Sequence, residues 1–142
     1  MQAAVDQIVN AFENLTPSGV QALERIYAVD AYFKDPFNEV QGVPAIQSIF
    51  RHMYAQLEQP RFIVSQRIVQ GAQCFLSWEF HFAFRGFQPG QVQCIRGGSH
   101  LQLNGEGRIT SHRDYWDAAE ELYEKWPLIG SLMRWLKRRG QA

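Results

Sequence analysis

Apolar residues at Val5, Ile8, Val9, Phe12 and Leu15 recur at helical intervals, and Thr16-Pro17-Ser18-Gly19 then breaks the stripe. Ser18 stands where it can cap a second helix carrying Val20, Leu23, Ile26 and Tyr27. The next stretch, AYFKDPFNEVQGV, reads as loop or short strand, because Pro36, Asn38 and Gly42 oppose a long helix. Pro44 suits the first position of a third helix, whose stripe is Ile46, Ile49, Phe50, Met53 and Leu57. From Pro60 the period changes from 3.6 to 2. Strands are expected over 61–70, 73–87, 91–103 and 107–117. Their turns are Gly71-Ala72, Gln88-Pro89-Gly90 and Asn104-Gly105-Glu106-Gly107. A last amphipathic helix is expected from about Ala118 to Arg138, interrupted near Pro127.

This order predicts the α+β class. N-terminal helices pack on a strongly curved antiparallel sheet to make a cone, with a C-terminal helix closing the chain. A meander this long twists and curls, and helices on one face close its mouth. No repeat or low-complexity linker interrupts it, so residues 1–142 read as a single domain.

Composition adds a cavity to this picture. Apolar residues make up 46% of the chain, and ten Phe, five Tyr and four Trp exceed the ring surface of a minimal core. Some of that surface is expected to line a pocket or a subunit interface. Fourteen basic and fourteen acidic residues balance to zero, which excludes the basic face of a general nucleic-acid binder. Arg134, Lys137, Arg138 and Arg139 form a local basic run. Behind an apolar stripe at Ile129, Leu132, Met133 and Leu136, that run allows peripheral membrane contact. The competing reading is a helix packed on the cone or on a second subunit. The opening residues carry no basic region followed by a long apolar run, and no transmembrane stretch occurs, so the expected location is cytoplasmic.

Cys74 and Cys94 are not expected to face each other across a hairpin turning near Pro89-Gly90, and both read as reduced, buried thiols. No pair of His, Cys or acidic residues shows dependable ligand spacing, so no metal is predicted.

Two stretches resemble a known family. One is Tyr32-Phe33-Lys34-Asp35-Pro36-Phe37, followed by Gly42 and Ala45-Ile46. The other is Gly107-Arg108-Ile109, then His112-Arg113-Asp114-Tyr115-Trp116-Asp117. Together they resemble the nuclear transport factor 2-like superfamily, in particular its SnoaL-like and ketosteroid-isomerase-like bacterial members. The resemblance implies a cone-shaped pocket for a small apolar molecule, a homodimer through the outer sheet face, and acid/base chemistry without a cofactor. The implied activities are isomerisation, cyclisation or hydration; the alternative is a non-catalytic ligand-binding or accessory protein.

The resemblance assigns Asp35 to the general base of ketosteroid isomerases, which take a proton beside a carbonyl. Their two oxyanion donors fall here on Ala11 and Ser99, so only a serine hydroxyl is left. Losing one such donor costs about 3 kcal/mol. Asp114 instead matches the end of the last strand of limonene-epoxide-hydrolase-like members, whose Arg-x-Asp pair is absent from the corresponding region here, Trp78-Glu79-Phe80-His81-Phe82, with Glu79 and His81 a poor substitute. SnoaL-like cyclases use an acid and a nearby His in this region, which His112 and Asp114 can imitate. The catalytic candidates are therefore Asp35, Asp114 and His112. Phe33, Tyr54, Trp78, Phe82, Ser99 and Trp116 are the candidate ligand contacts.

Each candidate has a plainer reading. Asp35 caps a turn before Pro36, and His112 with Asp114 forms a hydrogen-bonded strand pair. Glu79 and His81 lie opposite the apolar face of Leu76, Trp78, Phe80, Phe82 and Phe84, toward solvent or a subunit interface.

Overall fold

The computed structural model describes residues 1–86, 90–122 and 138. Helix α1 spans Gln2–Glu13 and buries Val5, Ile8, Val9 and Phe12, the stripe seen in the sequence. The next segment, Pro17–Arg25, is a 3₁₀ helix capped by Thr16, whose hydroxyl accepts from the Gly19 backbone at 3.1 Å. Ser18 is therefore not the cap. Tyr27 also leaves the expected helix, because a strand, β1, begins there and runs to Lys34. The short strand β2, Glu39–Gln41, returns against it, and α2 follows over Val43–Gln56 with Pro44 in its first turn. Gly42 precedes α2 at a positive φ of 98°, a conformation glycine adopts without a Cβ clash.

Four long strands follow: β3 at Leu57–Gln70, β4 at Gln73–Phe84, β5 at Gln93–Leu103 and β6 at Ile109–Tyr115. They pair antiparallel as the alternation predicts. The six-stranded sheet has the order β2-β1-β6-β5-β4-β3, and it is curved and unclosed. One pairing departs from the antiparallel expectation: β1 runs parallel to β6, with Phe33 opposite His112 and Lys34 opposite Arg113. The sheet is therefore mixed. A strand that precedes the meander can close beside its last strand in either sense, and period-2 alternation does not record which.

The helices cover the concave face. Two polar ties fix α1 to β3: Asp6 pairs with Arg67, and a Glu13 carboxylate oxygen accepts the Val64 backbone N–H at 2.9 Å. The second tie sits at an irregularity between Val64 and Gln66. The extra residue there switches the face phase. Phe62 and Val64 lie inward before it, and Arg67 and Val69 after it.

A core of buried side chains runs from α1 through the sheet, with Ile46, Leu76, Leu101 and Ile109 almost fully covered. The α3 turn, Ala118–Glu121, starts the expected last helix, capped by the Asp117 carboxylate. The interruption near Pro127, the stripe 129–136 and the basic run at 134, 137 and 139 lie outside the described residues, as does most of the turn 88–90. No helix among the described residues is long and apolar enough to cross a membrane.

Leu101 lies near the end of β5, between Cys74 of β4 and His112 of β6, with no exposed surface. Leu101→Ala should lower unfolding free energy by about 2–5 kcal/mol. Urea denaturation should show a reduced midpoint at an unchanged slope; a loss below about 1 kcal/mol would contradict a close-packed sheet centre.

Candidate active site

The concave face of the sheet and the helices enclose a cavity of about 610 Å³. That lies within the common range of small-molecule sites, about 300–1,000 Å³. Its walls are mostly aromatic. Phe62 stacks on Phe80 at 4.5 Å, and Phe80 on Phe82 at 5.1 Å. Phe12 of α1 and Phe50 of α2 close the helical side, and Phe33 of β1 packs beside them. Gly97 makes room for the two indoles, since a Cβ there would lie 2.7 Å from Trp78 and 2.9 Å from Trp116.

A row of polar groups crosses this apolar wall. Alternation along β6 turns His112 and Asp114 inward, and Ser99 lies directly opposite Asp114 on β5. Tyr27 Oη lies 2.7 Å from His112 Nδ1, and His112 Nε2 lies 2.7 Å from Asp114 Oδ1. From the other side Trp78 Nε1 donates to Ser99 Oγ at 2.9 Å, and Ser99 Oγ donates to the same Asp114 Oδ1 at 2.5 Å.

The chemistry of the donors fixes the direction. Indole N–H can only donate. Burial, then the nearby Asp114 charge, pushes the Tyr27 hydroxyl well above the ordinary tyrosine range, so it stays a neutral O–H. A neutral imidazole that accepts that O–H at Nδ1 carries its proton on Nε2 and donates it to Asp114. Both arms thus converge on one oxygen of Asp114. Its Oδ2 takes no hydrogen bond among the described residues. Phe33 packs edge-on to the imidazole at 4.7 Å and Tyr27 stacks on it at 6.0 Å, so the ring is held on both sides.

Asp35 reaches the same cavity from the turn after β1. Its Oδ1 accepts from the Phe37 backbone at 2.8 Å, the Asn38 backbone at 2.7 Å and the Asn38 side chain at 3.2 Å. This is the turn-capping geometry that the plainer reading of an Asp before Pro36 anticipates.

Of the candidate residues, Asp35, Asp114, His112, Phe33, Trp78, Phe82, Ser99 and Trp116 all line one cavity. Tyr54 does not. It follows Met53 on α2 and packs against the buried core instead. Sequence reading missed Tyr27 and Phe12 as parts of the site. The available signal for Tyr27 was its hydroxyl, which needs a partner once the ring is buried.

Glu79 and His81 lie on the outer face, as the alternation implies. Cys94 joins them there and is half-buried rather than buried, while Cys74 lies in the core.

A family profile described as the SnoaL-like domain matches residues 5–112. The chain belongs to the SnoaL-like domain family. None of the curated proteins matches this sequence significantly. Solved structures share the fold of this SnoaL-like chain. A hypothetical protein from Catenulispora acidiphila with a ketosteroid isomerase-like fold, in complex with trimethylamine, aligns at TM-score 0.71 and 19% identity. The alignment covers 84% of this chain and 88% of that one. A limonene-epoxide-hydrolase-like epoxide hydrolase of M. tuberculosis aligns at 0.67 and 17% identity, over 95% and 94% of the two chains. A protein from Shewanella putrefaciens provisionally classed as a SnoaL-like polyketide cyclase aligns at 0.68 and 20% identity, over 85% and 94%. At these identities the likeness establishes fold.

Tyr27→Phe should cost about 1–3 kcal/mol, because it leaves the buried Nδ1 acceptor unsatisfied. The raised folded-state value has a definite sign. Stability from the neutral hydroxyl is complete below the unfolded tyrosine value of about 10 and is lost as pH rises above it. Urea midpoints measured from pH 7 to 11 should therefore fall more steeply for the wild type than for Tyr27→Phe. Parallel curves would show that Tyr27 is not the buried titrating group.

Proposed function

We propose that this SnoaL-like protein binds a small, neutral, largely apolar molecule in the cone and carries out acid/base chemistry on it, with Asp114 as the base. The observation that carries the reading is the convergence of Ser99 and His112 on a single oxygen of Asp114 within an aromatic cavity. A carboxylate held this way keeps one orientation and offers its other oxygen to a proton on the bound molecule. His112 donates from Nε2, and Tyr27 holds it in that tautomer. Among the described residues no Arg or Lys lines the cavity, so it has no cation to pair with an anionic substrate. Proton transfer beside a carbonyl, with isomerisation or cyclisation, or activation of a water for hydration, is within reach of these two side chains alone. On this reading Asp35 shapes the cavity mouth through its turn bonds and is secondary to Asp114.

A second reading, a non-catalytic binder, is favoured by one observation. The Ser99 hydroxyl is committed to Asp114, and position 11 is an alanine, so the two places that hold oxyanion donors in ketosteroid-isomerase-like relatives supply none. A panel of cyclic enones and epoxides, combined with native mass spectrometry of freshly purified protein, separates the two. On the catalytic reading a panel member is turned over, and Asp114→Asn lowers kcat by about 10²–10⁴-fold. Asp35→Asn should keep most of the activity. A co-purified ligand released unchanged, with no turnover across the panel, would establish the binder instead.

The reading includes a homodimer through the outer sheet face. Ile68, Phe75 and Tyr115 are 65%, 38% and 47% exposed there. They cluster along the row that pairs Ile68, Phe75, His100 and Arg113 across four strands. Light scattering behind a sizing column should give twice the 16.4 kDa chain mass, and Ile68→Asp should shift it toward the monomer. A wild-type protein that is already monomeric at tens of micromolar, a concentration where a dimer of about micromolar Kd is assembled, would refute this part.

A further inference from the structure

Away from the cavity, three side chains of different chemistry meet on the convex face of the sheet. His81 on β4 and Cys94 on β5 are directly opposite each other, and Glu79 lies two residues earlier on the same face of β4. His81 Nε2 lies 3.0 Å from Glu79 Oε1, Cys94 Sγ lies 3.8 Å from Glu79 Oε1, and Cys94 Sγ lies 4.0 Å from His81 Nε2. The thiol and the carboxylate approach the same ring nitrogen. A catalytic relay needs the opposite arrangement, with the base between its partners and one ring nitrogen for each. Here the three atoms are the corners of one small triangle, all within 4.8 Å of one another.

That triangle matches a metal's coordination sphere. Tetrahedral Zn²⁺ with Zn–N and Zn–O near 2.0–2.1 Å and Zn–S near 2.3 Å sets its ligands about 3.3–3.6 Å apart. The observed separations of 3.0, 3.8 and 4.0 Å differ from these by roughly half an ångström or less. The charges balance as well, since a thiolate, a carboxylate and a neutral imidazole neutralise a divalent ion. The facing cations do not claim the carboxylate. Arg96, opposite Glu79, is engaged by Glu121 at 2.9 Å and Glu120 at 3.9 Å. Among the described residues, Arg61, opposite His81 on β3, is the other cation facing the row. Two hydrogen-bonded inner strands carry the three ligands, so their backbone positions are rigidly set.

We propose that Glu79, His81 and Cys94 form a binding site for a borderline-soft divalent metal of the Zn²⁺ class, with water in the fourth position. The site is independent of the cavity chemistry, because side chains of alternate residues on β4 point to opposite faces. Its nearest ligand, Glu79, lies four residues along β4 from Phe75, about 13 Å from that residue of the proposed dimer row.

Co²⁺ titration of the intact chain tests this directly. One Co²⁺ per chain should bind, with the near-ultraviolet charge-transfer absorption of a metal–thiolate bond. Cys94→Ser should abolish that absorption, and Glu79→Gln and His81→Gln should each weaken binding by at least about tenfold. A second measurement needs no variant. Stoichiometric Zn²⁺ should slow alkylation of Cys94 in the wild-type protein, read by mass spectrometry, and a chelator should restore it. Absence of the charge-transfer band, its persistence in Cys94→Ser, or unchanged alkylation would each overturn the proposal.

Discussion

The parallel seam between β1 and β6 is the constraint on which the interior depends. It brings Tyr27 and Phe33, from the start of the chain, against His112, from its last strand. The Tyr27 hydroxyl is wholly buried, and a buried donor without an acceptor is costly. His112 Nδ1 meets that requirement, and in doing so fixes which nitrogen holds the ring proton. A packing need at the bottom of the cone thereby becomes the orientation of a carboxylate at its wall.

Around that seam, strand alternation sorts the chemistry between two faces. Inward positions on β4 hold Leu76, Trp78, Phe80 and Phe82, and those on β5 and β6 add Ser99, His112 and Asp114. Outward positions hold Glu79, His81, Cys94 and the Arg113 guanidinium resting on the Tyr115 ring at 4.8 Å. The irregularity in β3 reverses the phase within that strand. Arg67 thereby turns inward to reach Asp6 of α1, while Ile68 faces out.

The SnoaL-like family assignment supplies an architecture, and architecture alone does not assign a reaction. Solved relatives at 17–20% identity include an epoxide hydrolase, a protein classed with cyclases and a hypothetical protein holding trimethylamine. In this chain the Ser99 hydroxyl donates to the Asp114 carboxylate, and the Asp35 carboxylate accepts the hydrogen bonds of its own turn.

Much of this was legible from residue order. The helical stripes of 5–12 and 46–53, the four period-2 strands and the inward set Trp78, Phe82, His112, Asp114 and Trp116 follow from spacing, because side-chain direction repeats at 3.6 or 2 residues whatever the partner. Ile26-Tyr27 extends an apolar stripe and so predicts a helix, and only pairing with Ile109 makes Tyr27 a strand residue. Register across strands was equally hidden. It decides that Ser99 meets Asp114, that Cys94 meets His81, and that β1 runs parallel to β6. Periodicity is a property of one segment and is written in it. Register and strand sense are properties of two segments distant in sequence, fixed only when both bury their apolar faces against the same core.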